Sequence, residues 1–282
     1  MIDQPPHRPS RRILAAFHPS TTSRTAIDAA VDLALHLRAE LSAMFIEDAT
    51  LLSLSEYPFL RQIGVHGAIS RGQERQAFKD ELRAFARQAE RYLAKSANQR
   101  RVRWSFTTAH GQIEDQIKAI GGPADLLIVE SSSRPIGRVM QLEASARRLA
   151  RLAGGSVLMI HPTQRLAGPI HAIIEAASDA AKMTAAAAEI ADRFDCMLDL
   201  HLVAADKSAR QTLDRIIQDH PDDVAARTKT ETIPAIDRQE LHRVLELSRG
   251  GIVVLSADSA ILAEDAAWNV IARAPCAVLL VR

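Results

Sequence analysis

The sequence is poor in aromatic residues, which make up 4% of 282 positions. Its cores must therefore be built from Ala, Leu, Ile and Val, the residues of helices packed on a parallel sheet. Cysteine is nearly absent: Cys196 and Cys276 are the two, and neither belongs to a CxxC pair. That excludes the common zinc and dithiol motifs. It leaves a disulfide between the two open and suits a reducing compartment. Charge of one sign is also missing. Thirty-five Lys and Arg face 34 Asp and Glu, a net charge of +1, so no broad electrostatic attraction to nucleic acid or anionic membrane is expected. The short arginine clusters around Arg11, Arg101 and Arg148 read as solvated surface. No run approaches the roughly 18 apolar residues that cross a bilayer. Met1–Ser10 is polar and proline-rich, without the apolar core of a signal peptide, and the expectation is a soluble, cytoplasmic protein.

What is present is a regular alternation. Ile13–Phe17 is a short apolar run ending at His18-Pro19-Ser20, a buried strand breaking at a turn. Ala26, Ala30, Leu33 and Leu37 then recur at helical spacing. Leu41–Ile46 is a second strand. Leu51–Gln73, with one proline and three glycines, reads as a loop with room for one short helix. Glu74–Lys95 reads as a helix with Phe78, Leu82, Phe85, Ala89 and Leu93 as its buried stripe. Val102, Trp104 and Phe106 alternate with polar residues, as in a half-exposed strand. A short helix at Ile113–Ile120, a strand at Leu126–Val129, a helix at Val139–Ala153 and a strand at Ser156–Ile160 complete the first series.

After a linker at Pro162–Pro169 the order restarts. Strands are expected at His171–Ala176, Met197–Ala204, Ala225–Ile233, Ile252–Leu255 and Ala277–Val281. Helices are expected at Ala180–Phe194, Ala209–Gln218, Arg238–Leu247 and Ala260–Arg273. The pattern predicts two α/β units, 11–163 and 168–282, each a doubly wound parallel sheet covered by helices.

Several segments together resemble the universal stress protein family. Arg273-Ala274-Pro275-Cys276-Ala277-Val278-Leu279-Leu280-Val281 is similar to the family's closing helix and strand, and Ala153–Ile160 occupies the same place in the first unit. Ile13–Ser20 with Ser23, Ala26 and Ala30 resembles its first strand, turn and helix. Ala124–Val129 resembles its fourth strand. The resemblance implies a tandem, adenine-nucleotide alpha hydrolase-like fold. It also implies pairing of the two closing strands, Ser156–Ile160 with Ala277–Val281, as an intramolecular pseudo-dimer, and leaves a further homodimer open. Apolar edge strands are costly to leave unpaired, which agrees.

Many members of that family bind ATP through glycines after the fourth strand, where backbone amides approach phosphate. The corresponding positions here are Glu130, Ser133, Glu143 and Ala144, so the glycines are missing and two positions carry carboxylates. The family's acidic residue after the first strand is His18, followed by Pro19. In the second unit, Ser256-Ala257-Asp258-Ser259 stands where the loop would begin, Glu264 and Asp265 replace its closing pair, and the first strand ends at Glu175-Ala176-Ala177. The expectation is a stress-associated protein without catalytic residues, metal or cofactor, acting through a small ligand or a protein partner. The alternative is an ATP- or AMP-binding protein that uses a modified first-unit loop.

Parallel sheets bind ligands beyond the carboxyl ends of their strands. The candidate crevice is accordingly His18, Ser20, Glu47, His110, Glu130, Ser131, Ser132 and Ser133. The remaining histidines, His171 and His201 among them, show no metal-binding spacing and read as structural or surface groups. No nucleophile elbow and no P-loop occurs.

Overall fold

The computed structural model describes residues 11–17, 24–47, 71–111, 115–117, 125–130, 149, 155–161, 166, 168–204, 211, 215 and 227–282. The first series comprises β1 (Arg12–Phe17), α1 (Arg24–His36), β2 (Glu40–Glu47), α2 (Arg71–Gln99), β3 (Trp104–His110), β4 (Leu126–Glu130) and β5 (Ser156–Ile160). The second comprises β6 (Ile170–Ile174), α3 (Ala177–Phe194), β7 (Leu198–Val203), β8 (Thr228–Ile233), α4 (Arg238–Leu247), β9 (Ile252–Ser256), a 3-10 turn (Ala260–Ala263), α5 (Asp265–Ile271) and β10 (Ala277–Val281).

All ten strands form one sheet in the order β3-β2-β1-β4-β5-β10-β9-β6-β7-β8. Pairing is parallel throughout each half. It is antiparallel where β5 meets β10, with Leu279 opposite Leu158. The two halves thus repeat one strand order outward from that seam. The central strands read LLIVE, SVLMI, IVVLS and AVLLV, nearly continuous apolar runs, because both faces are covered. The edge strands β3 and β8 are rich in exposed polar residues, which discourages further pairing.

One face carries α1, α2 and α3 over Ile13, Phe17, Phe45, Leu158, Leu200 and Leu279. The other carries α4 and α5 over Leu14, Leu127, Val253, Leu255 and Leu280. The helical layer crosses the seam: the His36 ring at the end of α1 stacks on Phe194 at the end of α3, and Arg11 pairs with Glu189.

Several elements differ from the sequence reading. Helix α2 begins at Arg71, so the last three residues of the expected 51–73 loop are helical; residues 51–70 lie outside the described set. Its buried stripe is Leu82, Ala86, Ala89, Leu93 and Ala97, and Phe85 is exposed. The side chain of Phe78 is also outside the described set. Alanines let α2 lie close to α1. Polar contacts then fix its rotation: Tyr92 Oη and Ser96 Oγ donate to Asp28 at 2.7 and 2.6 Å, and Arg100 reaches Asp32 at 2.8 Å. Rotation about that anchor leaves Phe85 at the rim. The expected helix over 260–273 is broken at Glu264, whose backbone is extended, into a 3-10 turn and the short α5. Of the expected helices at 113–120, 139–153 and 209–218, only residues 115–117, 149, 211 and 215 are described, and all are helical.

Candidate functional site

In each half the strand order reverses once, between β1 and β4 and between β9 and β6. At such a reversal the crossovers leave on opposite faces, and the carboxyl ends of the strands open a crevice.

In the first half, β1 ends at Phe17 and β4 ends at Glu130, which is buried at 6% exposure. His18, Ser20, Ser131, Ser132 and Ser133 lie outside the described residues. Glu47 and His110 end the neighbouring strands β2 and β3 and are register partners. His110 Nδ1 lies 2.9 Å from the buried Glu47 carboxylate, while the rest of the ring faces solvent. The following turn holds this pair. Gly111 sits at φ 116, where a side chain would be strained, and its amide donates to the Glu47 carbonyl at 3.1 Å. Gln116 Nε2 donates to the His110 carbonyl at 2.8 Å. Three of the eight sequence-named residues are thus placed at strand ends, and two of them touch.

The second crevice is described more fully. Ser256 ends β9 and Glu175 follows β6, so they flank the reversal. Ser256 Oγ donates to Asp179 Oδ2 at 3.1 Å, and Ser259 Oγ donates to Glu175. The Asp258 amide donates to Ser256 Oγ at 3.3 Å and the Ser259 amide to the Ser256 carbonyl at 3.1 Å, closing a tight turn. Asp179 lies in the first turn of α3, where the helix favours negative charge. The helix needs it: Ala176 at the cap position supplies no side-chain bond. The protein's own carboxylates therefore occupy the helix start and serine turn at which an anionic ligand would bind. Asp179 was not among the sequence candidates. Its signal is an acid at the opening of an alanine-rich helix beside a non-capping residue. Glu264 and Asp265 open α5, the helix that follows β9 and its 3-10 turn.

A separate cleft of about 350 Å³ lies between α4 and α5, lined by Arg238, His242, Asn269 and Arg273 over Leu245 and Val270. Its size is at the small end for a ligand pocket. The cysteines form no disulfide. Burial pushes the Cys276 thiol up to about 12, which removes it as a nucleophile. Trp104 donates its indole N–H to Asn98 at 3.0 Å, and the buried Trp268 donates to the Leu262 carbonyl at 2.8 Å.

No family model and no curated protein matches this sequence. Solved structures do. A universal stress protein from Archaeoglobus fulgidus DSM 4304 is 11% identical, with 95% of this chain and 96% of that chain covered at a TM-score of 0.64. A putative universal stress protein from Pseudomonas aeruginosa UCBPP-PA14 is 16% identical over 96% and 93%, with a TM-score of 0.57. The cytoplasmic domain of a prokaryotic cation chloride cotransporter is 13% identical over 96% and 95%, with a TM-score of 0.53. The architecture is therefore a doubly wound α/β sheet. In particular it is the fold of the universal stress proteins, in its two-unit form. At these identities the likeness defines the fold and leaves the function to the site.

Proposed function

We propose that this chain is a non-catalytic, stress-associated protein of the universal stress protein type that has given up the usual ATP-binding loop. One observation carries the reading: Ser256 and Ser259 already donate to Asp179 and Glu175 across the second crevice. A phosphate entering there would have to break both bonds and approach two carboxylates. Each unit-charge repulsion at about 4 Å opposes binding by about 4 kcal/mol near a protein surface. Glu264 and Asp265, in place of the family's closing pair of small residues, point the same way. In the first half, acids at Glu130 and Glu143 in place of glycines support the same conclusion.

Such a protein acts through its surfaces or a small ligand other than ATP. The occurrence of this fold in the cytoplasmic domain of a cotransporter fits a scaffold role. The test is extraction of the purified full-length chain with denaturant and assay of the extract for adenine nucleotides. The reading expects none. Nucleotide at near-stoichiometric amount would overturn it in favour of binding through the first-half loop.

A further inference from the structure

Three adjacent strands place a chain of ionisable groups on the sheet face covered by α4. His171 (β6) and His201 (β7) are buried at 4% and 2% exposure. Their rings are nearly parallel, with centroids 5.2 Å apart, and meet end to end: His171 Nδ1 lies 2.9 Å from His201 Nε2. Their outer nitrogens face carboxylates. His171 Nε2 is 3.6 Å from Asp199 of β7, and His201 Nδ1 is 3.3 Å from Glu231 of β8. Among the described residues, neither outer nitrogen makes a hydrogen bond. Glu231 is held instead by Arg243 of α4 at 3.2 Å, and Arg243 also binds Glu240, on its own helix, at 2.9 Å.

Counting protons shows what this arrangement lacks. The four ring nitrogens serve three contacts: Asp199 to His171, His171 to His201, and His201 to Glu231. Two neutral imidazoles carry one N–H each. One N–H is spent between the rings. Only one outer nitrogen can then donate, and the other must turn a lone pair towards a carboxylate. A third proton would give every contact a donor and convert both outer contacts into charge-assisted bonds.

We infer that His171 and His201 together form a single-proton-binding site, and that the proton they take up makes His201 compete with Arg243 for the Glu231 oxygen that both already face. The proton comes from hydronium or a buffer acid. One N–H bond forms on an outer ring nitrogen as the O–H bond of the donor breaks, and nothing else changes covalently. Asp199, Glu231 and Glu240 favour uptake, while burial and the Arg243 guanidinium oppose it. Burial first, then the charge of the partner ring, holds His171 down to about 4, so the pair is neutral at pH 7 and fills in the acid range. A second proton is opposed by the first. The consequence falls on the shared Glu231 oxygen: its bond to His201 of β7 becomes charge-assisted, and its tie to Arg243 of α4 weakens. Acidification would thus weaken the hold of Arg243, midway along α4, on β8 without unfolding the sheet.

The test is long-range proton–nitrogen NMR of the imidazoles of the full chain across the pH range, with the Arg243 side-chain N–H followed in parallel. One outer nitrogen should be bare at neutral pH. Below the ordinary imidazole value of 6.5, that bare nitrogen should gain its proton in one step, leaving both outer nitrogens protonated, and Arg243 N–H exchange should quicken in the same step. Glu231→Gln should move that step to lower pH and Arg243→Gln to higher pH. Both positions are part-exposed, and retention of the amide spectrum verifies that each variant is folded. Two independent imidazole titrations, a step unmoved by both substitutions, or rings that stay neutral until the fold is lost would overturn the inference.

Discussion

The ring of His36 stacks on that of Phe194 with centroids 4.4 Å apart and planes 16° from parallel. The two residues end equivalent helices, α1 and α3, in opposite halves. His36 is oriented by its Nδ1, which lies 2.6 Å from the Asp32 carbonyl. The contact extends the sheet seam into the helical layer. Phe194→Ala should lower stability by about 1–3 kcal/mol, less than for a fully buried phenylalanine because the ring is half-exposed. The check is the denaturant midpoint of the full chain; an unchanged midpoint would show that the His36–Phe194 contact does not help to join the halves.

Leu279 and Leu158 meet at the centre of the β5–β10 pair and are buried at 4% and 1% exposure. Leu279→Ala should cost about 2–5 kcal/mol. The double substitution with Leu158→Ala should deviate from additivity, since the side chains share one site. Strict additivity in a double-mutant cycle would count against the pairing.

Gly251 is pressed against the start of β6: a Cβ there would lie 1.9 Å from the Pro169 carbonyl oxygen. Because the obstacle is backbone, it cannot swing aside. Gly251→Ala should therefore cost at least about 2 kcal/mol. A thermal melt within error of the parent chain would contradict this packing.

Three buried histidines predict a pH dependence of stability. Burial is the chief cause that holds His161, His171 and His201 below their ordinary value. The unfolded chain therefore binds more protons than the folded one in the acid range. Stability should be full above pH 6.5, fall as the pH drops below it, and lose its dependence on His171 below about 4. Urea midpoints measured across that range test the sign; a midpoint that rises on acidification would contradict it.

Much of the fold was legible because the relevant signals are local. Continuous apolar runs marked the central strands, and alternation marked β3 as a half-exposed strand. Phe85 was misplaced because two helical stripes fit the same residues, and only the contacts of Asp28 with Tyr92 and Ser96 decide the rotation. The break at Glu264 interrupts an apolar periodicity that continues on either side. Of the candidate site, Glu47 and His110 were named from their strand-end positions, and their side chains touch. Asp179 was not, because its serine partner is 77 residues away. His171 and His201 are 30 residues apart and meet only through strand register.

The most direct test is a calorimetric titration of the full-length chain, freed of any bound nucleotide, with ATP. The account predicts no heat of binding, because carboxylates stand where phosphate would be held. Saturable binding at micromolar affinity would contradict it and show that a crevice in this fold still receives the nucleotide.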